Sequence, residues 1–344
     1  MAARSRPLTP WALMRALPEG LSDGDLVEAL RDGWGLTDVD LAYVPVGGGS
    51  YHWRADDGQG RSHWVTVDDL DHKGFLGSSR DAVLDGLSRA FDTARAVRLG
   101  GLEFVVAPVP TRDGTSLRLA GDRHAVTVFP YLREKSGEFG EHRTVAERAA
   151  VVDALVQLHR VPPENARTAR PTVPYRASLE AALAERDRPW TSGPYAERAR
   201  EGLAPFAAGI RRQLDEFDRL ASRVLASGAA PVLTHGEPHP GNVVFAESHV
   251  LLVDWDTVGV ALPERDLWML DTDDERARYE QGTGRPVDDA AIRLYRLRWE
   301  LDDIASFVHT FRSPHREDAD TARTWGWFAG SLGFDGVWPY ARGL

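Results

Sequence analysis

The stretch from Thr234 to Asp256, THGEPHPGNVVFAESHVLLVDWD, constrains the fold of this chain more than any other part of it. Its first half holds Gly236, Pro238, Pro240 and Gly241. Proline removes a backbone donor and glycine is costly in a helix interior, so this half cannot be helical. The apolar run that follows reads as strand. A loop must therefore form here and lead into extended structure. It presents His235, Glu237, His239 and Asn242, and the strand then delivers Asp254.

Around that segment the texture changes along the chain. GDLVEALRDG (24–33) reads as a short helix, LAYVPV (41–46) as a strand, and SYHWRA (50–55) and SHWVTVD (62–68) as further strands separated by glycine turns. Extended runs divided by such turns are the mark of an antiparallel meander. Val83, Leu84, Leu87, Phe91, Ala94 and Val97 recur near the helical period, predicting a helix over 80–99. Strands are expected again at 103–109, 116–120 and 124–132. After Pro130 helices dominate, at 145–159, 177–186, 197–227 and 289–311, with strands around 243–254. The expected boundary lies at the Phe129-Pro130-Tyr131 segment, giving a mainly β part over 1–128 and a mainly helical part over 129–344.

Composition excludes several classes of function. With 344 residues the chain can bury a large core, and with no cysteine it has neither disulfides nor a thiolate nucleophile. A net charge of −11 argues against a nucleic-acid partner and favours a cationic one. The amino-terminal segment lacks the continuous apolar core of a signal peptide, and no stretch approaches a membrane span, so a cytoplasmic protein without a membrane partner is expected. Lys73 and Lys135 are the only lysines, so any step that needs a lysine has two candidates.

The loop could be read as a metal site, since His235 and His239 share the spacing of a zinc-binding helix. The prolines and glycines between and beside them remove the helix, and Glu237 does not adjoin the first histidine as that motif requires. Phosphoryl transfer gives each residue a task. Glu237 would orient an attacking hydroxyl, while Asn242 and Asp254 would offer the hard oxygens that Mg2+ prefers. His235 is then a structural brace beneath the loop, and His239 is either a second brace or solvated. Gly47, Gly48, Gly49 and Ser50 lie between two strands. A dinucleotide or Walker loop would run from strand into helix, so these four residues fit a flap that covers phosphates with backbone N–H groups.

These motifs resemble the aminoglycoside phosphotransferase family, the small-molecule branch of the protein-kinase-like fold. His235, Gly236, Glu237 and Asn242 match its H-G-D-x-x-x-x-N loop in spacing, with glutamate in place of aspartate. Val253-Asp254-Trp255-Asp256 matches its magnesium motif, and Pro263 to Leu267 its p-x-x-D-l segment. The resemblance implies an α+β, bilobal protein-kinase-like fold, with an antiparallel sheet and one long helix in the N-terminal lobe and a mainly helical C-terminal lobe. It also implies ATP or GTP as cosubstrate, with the base bonded to hinge backbone near Phe129 and Tyr131. Spectinomycin and peptide-antibiotic phosphotransferases are the nearest kinds.

Two departures stand out. Where the family carries a phosphate-binding lysine on its third strand, this chain has Thr66 or Val67. Lys73 is the candidate replacement, reached by a bend after the strand, against the alternative of a solvated loop lysine. Glu237 reaches one methylene farther than aspartate. Phosphoryl transfer depends mainly on positioning and electrostatics, so a re-docked loop can retain activity. For a small cationic acceptor, the expected binding residues are Asp271 and, on the helix near 289–311, Tyr295, Trp299, Glu300, Asp302 and Asp303. The alternatives are a nucleotide-binding pseudoenzyme or regulator on the same fold, or a metabolic amino-sugar or choline-type kinase.

Overall fold

The computed structural model describes residues 16–134, 136–137, 143–164, 166–246, 249–270 and 272–332. Lys135 and Asp271 lie outside the described residues. The chain divides into two compact units. One comprises the described residues up to Ala169 together with Pro231–Val287, and the other Arg170–Ala230 with the described residues from Asp288 onward.

The first unit begins with α1 (Asp23–Trp34), started by a Ser22–Asp25 capping box and stopped by Gly35 in the left-handed conformation. Strands β1 (Asp40–Val44), β2 (Tyr51–Asp56) and β3 (Ser62–Asp69) form a meander. Helix α2 (Arg80–Leu99), capped by Ser79, precedes β4 (Arg118–Ala120) and β5 (His124–Pro130). The sheet order is β1-β2-β3-β5-β4, with every pairing antiparallel. Strand alternation divides the side chains between its two faces. Trp53, Ala55, Val65, Val67, Val126 and Val128 pack with Leu26 and Leu30 of α1. Trp64, Ala125 and Phe129 pack with Val83, Leu87 and Phe91 of α2. Both faces are therefore covered, and the α+β class expected from the sequence is observed.

The remainder of this unit carries α3 (Val145–Leu158), β6 (Val232–Thr234), the hairpin of β7 (Val243–Ala246) and β8 (His249–Leu252), β9 (Gly259–Ala261), α7 (Glu264–Leu267) and α8 (Asp273–Thr283). β6 pairs with β9 and β7 with β8. The second unit is helical in its described residues. It contains α4 (Arg176–Ala184), α5 (Ala196–Leu203), α6 (Ala207–Leu225), α9 (Asp289–Arg312) and α10 (Ala319–Leu332).

Two expected elements are corrected. Residues 103–109 do not form a strand: Val105 makes only an isolated parallel bridge to Leu252, and Pro108 and Pro110 lack the donors needed to extend a ladder. The helix expected over 197–227 is broken at Pro205 by a 3-10 turn over Ala204–Phe206, where a helix-interior proline would clash with the preceding turn.

Candidate active site

The two ladders of the first unit deliver the two sequence motifs side by side. β6 ends at Thr234 and releases the loop that begins at His235. β7 and β8 then return the chain to Val253. The Val253 N–H donates to the Asn242 carbonyl at 3.0 Å, so Asn242 and Asp254 become backbone neighbours although eleven residues of chain lie between them. β9 closes the arrangement against β6, and the Thr234 hydroxyl donates to the Gly259 carbonyl at 2.7 Å.

The loop is held from beneath. Asp266 of α7, itself buried, accepts the N–H groups of His235 at 2.8 Å and Gly236 at 2.6 Å, and His159 Nε2 at 2.9 Å. Tyr279 Oη lies 2.7 Å from His159 Nδ1, which continues the chain into α8. Desolvation would raise the Asp266 carboxyl, but the His159 hydrogen bond and the neighbouring positive charges hold it below the ordinary value. Gly236 has φ of 106°, and a Cβ there would lie 2.3 Å from the Arg265 guanidinium. Only glycine accepts both conditions.

His235 is fully buried and meets Trp255 edge to face at 4.5 Å. Its Nε2 donates to the Val253 carbonyl at 2.9 Å, and its Nδ1 accepts the Glu237 N–H at 3.3 Å. Burial holds the ring neutral, below the usual histidine value. One imidazole thus ties the two motifs together. His239 is also buried rather than solvated. Desolvation pushes it down to about 3, so its Nε2 faces the Asn242 amide at 3.3 Å as an acceptor.

The Asn242 amide donates to the Glu237 carbonyl at 3.0 Å. Its Oδ1 therefore keeps both lone pairs without a hydrogen bond among the described residues. Asp254 is exposed and adopts a left-handed backbone with φ of 63°, which costs a non-glycine residue about 1–3 kcal/mol. Desolvation by surrounding protein, and then the adjacent Asp256 charge, raise its carboxyl well above the ordinary range. Glu237, half-buried, adds to the same negative field. An amide oxygen and a carboxylate carried on adjoining backbone, the latter next to a second acidic residue, are donors of the kind a hard divalent cation takes.

Lys73 closes the site from the other direction. Its side chain is 3% exposed, and its Nζ lies 2.6 Å from Asp256 Oδ2, 2.9 Å from Asp68 Oδ1 and 3.0 Å from Ser50 Oγ. Burial alone would lower its pKa, but Asp256, Asp68 and Asp254 outweigh burial and keep it protonated. The solvated-lysine alternative is therefore excluded. Ser50 ends the glycine flap, where Gly47 has φ of 76° and a Cβ on Gly49 would lie 3.8 Å from Lys73 Nζ. Gly48 lies between them in the β1–β2 connection. Thr66, one of the two candidate positions for the missing strand lysine, is buried and lies within hydrogen-bond reach of His52 Nδ1 at 3.2 Å, and Val67, the other, is buried as well. Phe129 is buried against Phe91, and half-buried Tyr131 lies under the Arg54 guanidinium at 5.8 Å.

The residues expected to bind acceptor on α9 belong to the second unit. Tyr295, Trp299 and Glu300 are buried there, and Asp303 is half-buried. Asp302 pairs with Arg298 at 2.9 Å, and desolvation raises its carboxyl. Sequence reasoning missed Asp68, His159 and the bracing part of Asp266. Strand alternation places Asp68 on the face of Thr66, and that was the available signal.

Comparison with known proteins places the chain in a family. Protein StrN of Streptomyces griseus is 28% identical over 295 residues, spanning 83% of this chain and 84% of its own. Spectinomycin phosphotransferase APH(9)-Ia, solved with ADP and spectinomycin, superposes with a TM-score of 0.70 at 17% identity over 91% of this chain and 95% of that one. A microcompartment-associated aminopropanol kinase gives 0.59 at 15% identity, over 90% and 95%. At these identities the structures establish a shared fold. The phosphotransferase enzyme family model (APH) matches residues 61–305, more than half of the chain and inclusive of both motifs, and the protein belongs to that family.

Proposed function

We propose that this phosphotransferase moves the γ-phosphate of ATP or GTP to a hydroxyl of a cationic small molecule such as an aminocyclitol, aminoglycoside or basic peptide antibiotic. The observation that carries the reading is the gathering of Glu237, Asn242, Asp254 and Lys73 within one unit, joined by the Asn242–Val253 and Lys73–Asp256 bonds. Glu237 accepts the hydrogen bond of the acceptor hydroxyl and orients it. His235 fixes the loop that carries Glu237, through the Glu237 N–H. Asn242 Oδ1 and Asp254 are the groups that would hold Mg2+. That ion supplies charge neutralisation at phosphate oxygens when bound.

Lys73 takes the place of the missing strand lysine as the cation for the phosphates. The flap from Gly47 to Ser50 offers backbone N–H groups to the same phosphates, and the backbone near Phe129 and Tyr131 takes the base. The acidic balance of the chain supports a cationic acceptor, and Asp302 and Asp303 on α9 are candidates to recognise it. The spectinomycin complex of a protein with this fold supports the same class.

Incubation with Mg2+ and ATP or GTP, across aminocyclitols, aminoglycosides, basic peptides and amino sugars, tests the reading by mass spectrometry. A phosphate-sized gain on one cationic acceptor is the expected result. Measurable nucleotide binding with no product across the panel would contradict it and favour a regulator.

A further inference from the structure

An ammonium group has three donors. Two of those of Lys73 go to Asp256 Oδ2 at 2.6 Å and Ser50 Oγ at 3.0 Å, and Asp68 Oδ1 forms an ion pair with the same Nζ at 2.9 Å. Ser50 in turn donates to Asp68 Oδ1 at 2.6 Å. Asp68 Oδ1 therefore meets both the ammonium and the Ser50 hydroxyl. Asp68 is 1% exposed, and its second oxygen has no hydrogen-bond partner among the described residues.

The three partners are not equivalent. Ser50 belongs to the connection between β1 and β2, and Asp256 to the loop after β8. Asp68 alone sits inside a strand paired on both sides, where Val67 and Asp68 face Val126 and Ala125 of β5, and Tyr51 of β2 faces Val67. Lys73 itself lies among turns, with the His72 N–H on the Asp69 carbonyl and the Leu76 N–H on the Lys73 carbonyl. A lysine on such a segment gains a defined position only from what its ammonium touches.

We propose that Asp68 is a positioning residue for nucleotide binding. It is the strand-borne anchor that fixes the Lys73 ammonium, while the Ser50 and Asp256 contacts are exchanged for phosphate oxygens when a nucleoside triphosphate enters. The strand position that lacks a lysine is thereby served in two parts: rigidity comes from Asp68 two residues on, and charge comes from Lys73. The inference rests on the nucleotide-binding part of the proposed function. It adds that Asp68 acts through Lys73 alone, so its removal matters to ligands with phosphates and not to the base.

Calorimetric titration with Mg-ATP, and separately with adenosine, of the wild type, Asp68→Asn, Asp68→Ser, Lys73→Met and the Asp68→Asn/Lys73→Met double variant provides the test. Asp68→Asn and Asp68→Ser are expected to weaken ATP about ten-fold, the size of one close charge pair at its low end, and to leave adenosine binding unchanged. In the Lys73→Met background, Asp68→Asn is expected to cost nothing further. Wild-type affinity for ATP in both Asp68 variants would overturn the proposal. So would equal losses for ATP and adenosine, or the same ten-fold loss without Lys73. A wild type that binds neither Mg-ATP nor, titrated in the same way, Mg-GTP would instead overturn the nucleotide reading on which the proposal stands, and the two wild-type titrations alone read that outcome.

Discussion

At the residue scale, Glu237 is the sharpest question. Its backbone N–H is held by His235, the loop before it by Asp266, and its carbonyl by Asn242. A backbone tied at these points cannot advance to compensate for a shorter side chain. Replacing Glu237 by aspartate withdraws the carboxylate by about one methylene, and misplacement of about 1 Å can cost 100-fold. Glu237→Asp is therefore expected to lower kcat about 10–100-fold with little change in melting temperature. Equal or faster turnover in a steady-state assay would show that the loop does not use the longer side chain.

The residues of this loop were legible in the sequence because their chemistry and spacing are local. Asp68 and Lys73 were less so. Their significance comes from contacts with Ser50 and Asp256 that form only when distant segments meet. The left-handed backbone of Asp254 left no mark in the sequence beyond the residue itself.

At the scale of elements, periodic stretches were legible and interrupted ones were not. Helix α2 matches its expected span of 80–99, because its apolar positions recur through five turns of helix. The apolar run at 103–109 has strand composition, but Pro108 within it and Pro110 just after it leave a single bridge. β9 has three residues and no period to detect; its pairing with β6 defines it. Helix α9 carries a further consequence. Glu300 is buried, and its Oε2 has no hydrogen-bond partner among the described residues. Desolvation raises its carboxyl from 4.5 to about 7, with Arg293 opposing the shift and Glu216 adding to it.

Between those two values the folded chain keeps a proton that the unfolded chain has released. Stability therefore falls as pH rises through that window and levels off above about 7. The ceiling on this contribution is about 3 kcal/mol. Glu300→Gln is expected to remove the slope and to raise the melting temperature at alkaline pH. Thermal melts across the pH range check this, and parallel curves for the two proteins would contradict it.

At the scale of the whole molecule, the chain leaves its first unit after Ala169 and re-enters it at Pro231, so that unit gathers every residue assigned to nucleotide, metal and base. The sheet carries the flap, Asp68 and the approach to Lys73. The two short ladders carry Glu237, Asn242 and Asp254. The chain belongs to the phosphotransferase enzyme family, and the catalytic claim is that this assembly transfers phosphate.

The most direct test is a side-by-side reaction of wild type, Asn242→Ala and Glu237→Ala with Mg-ATP and the best acceptor of the panel, followed by phosphorus NMR. The account predicts a new phosphoester signal with the wild type. It predicts a loss of at least about 100-fold in both variants, with the melting temperature of Glu237→Ala unchanged. A silent wild type that still binds ATP, or variants as active as the wild type, would contradict it.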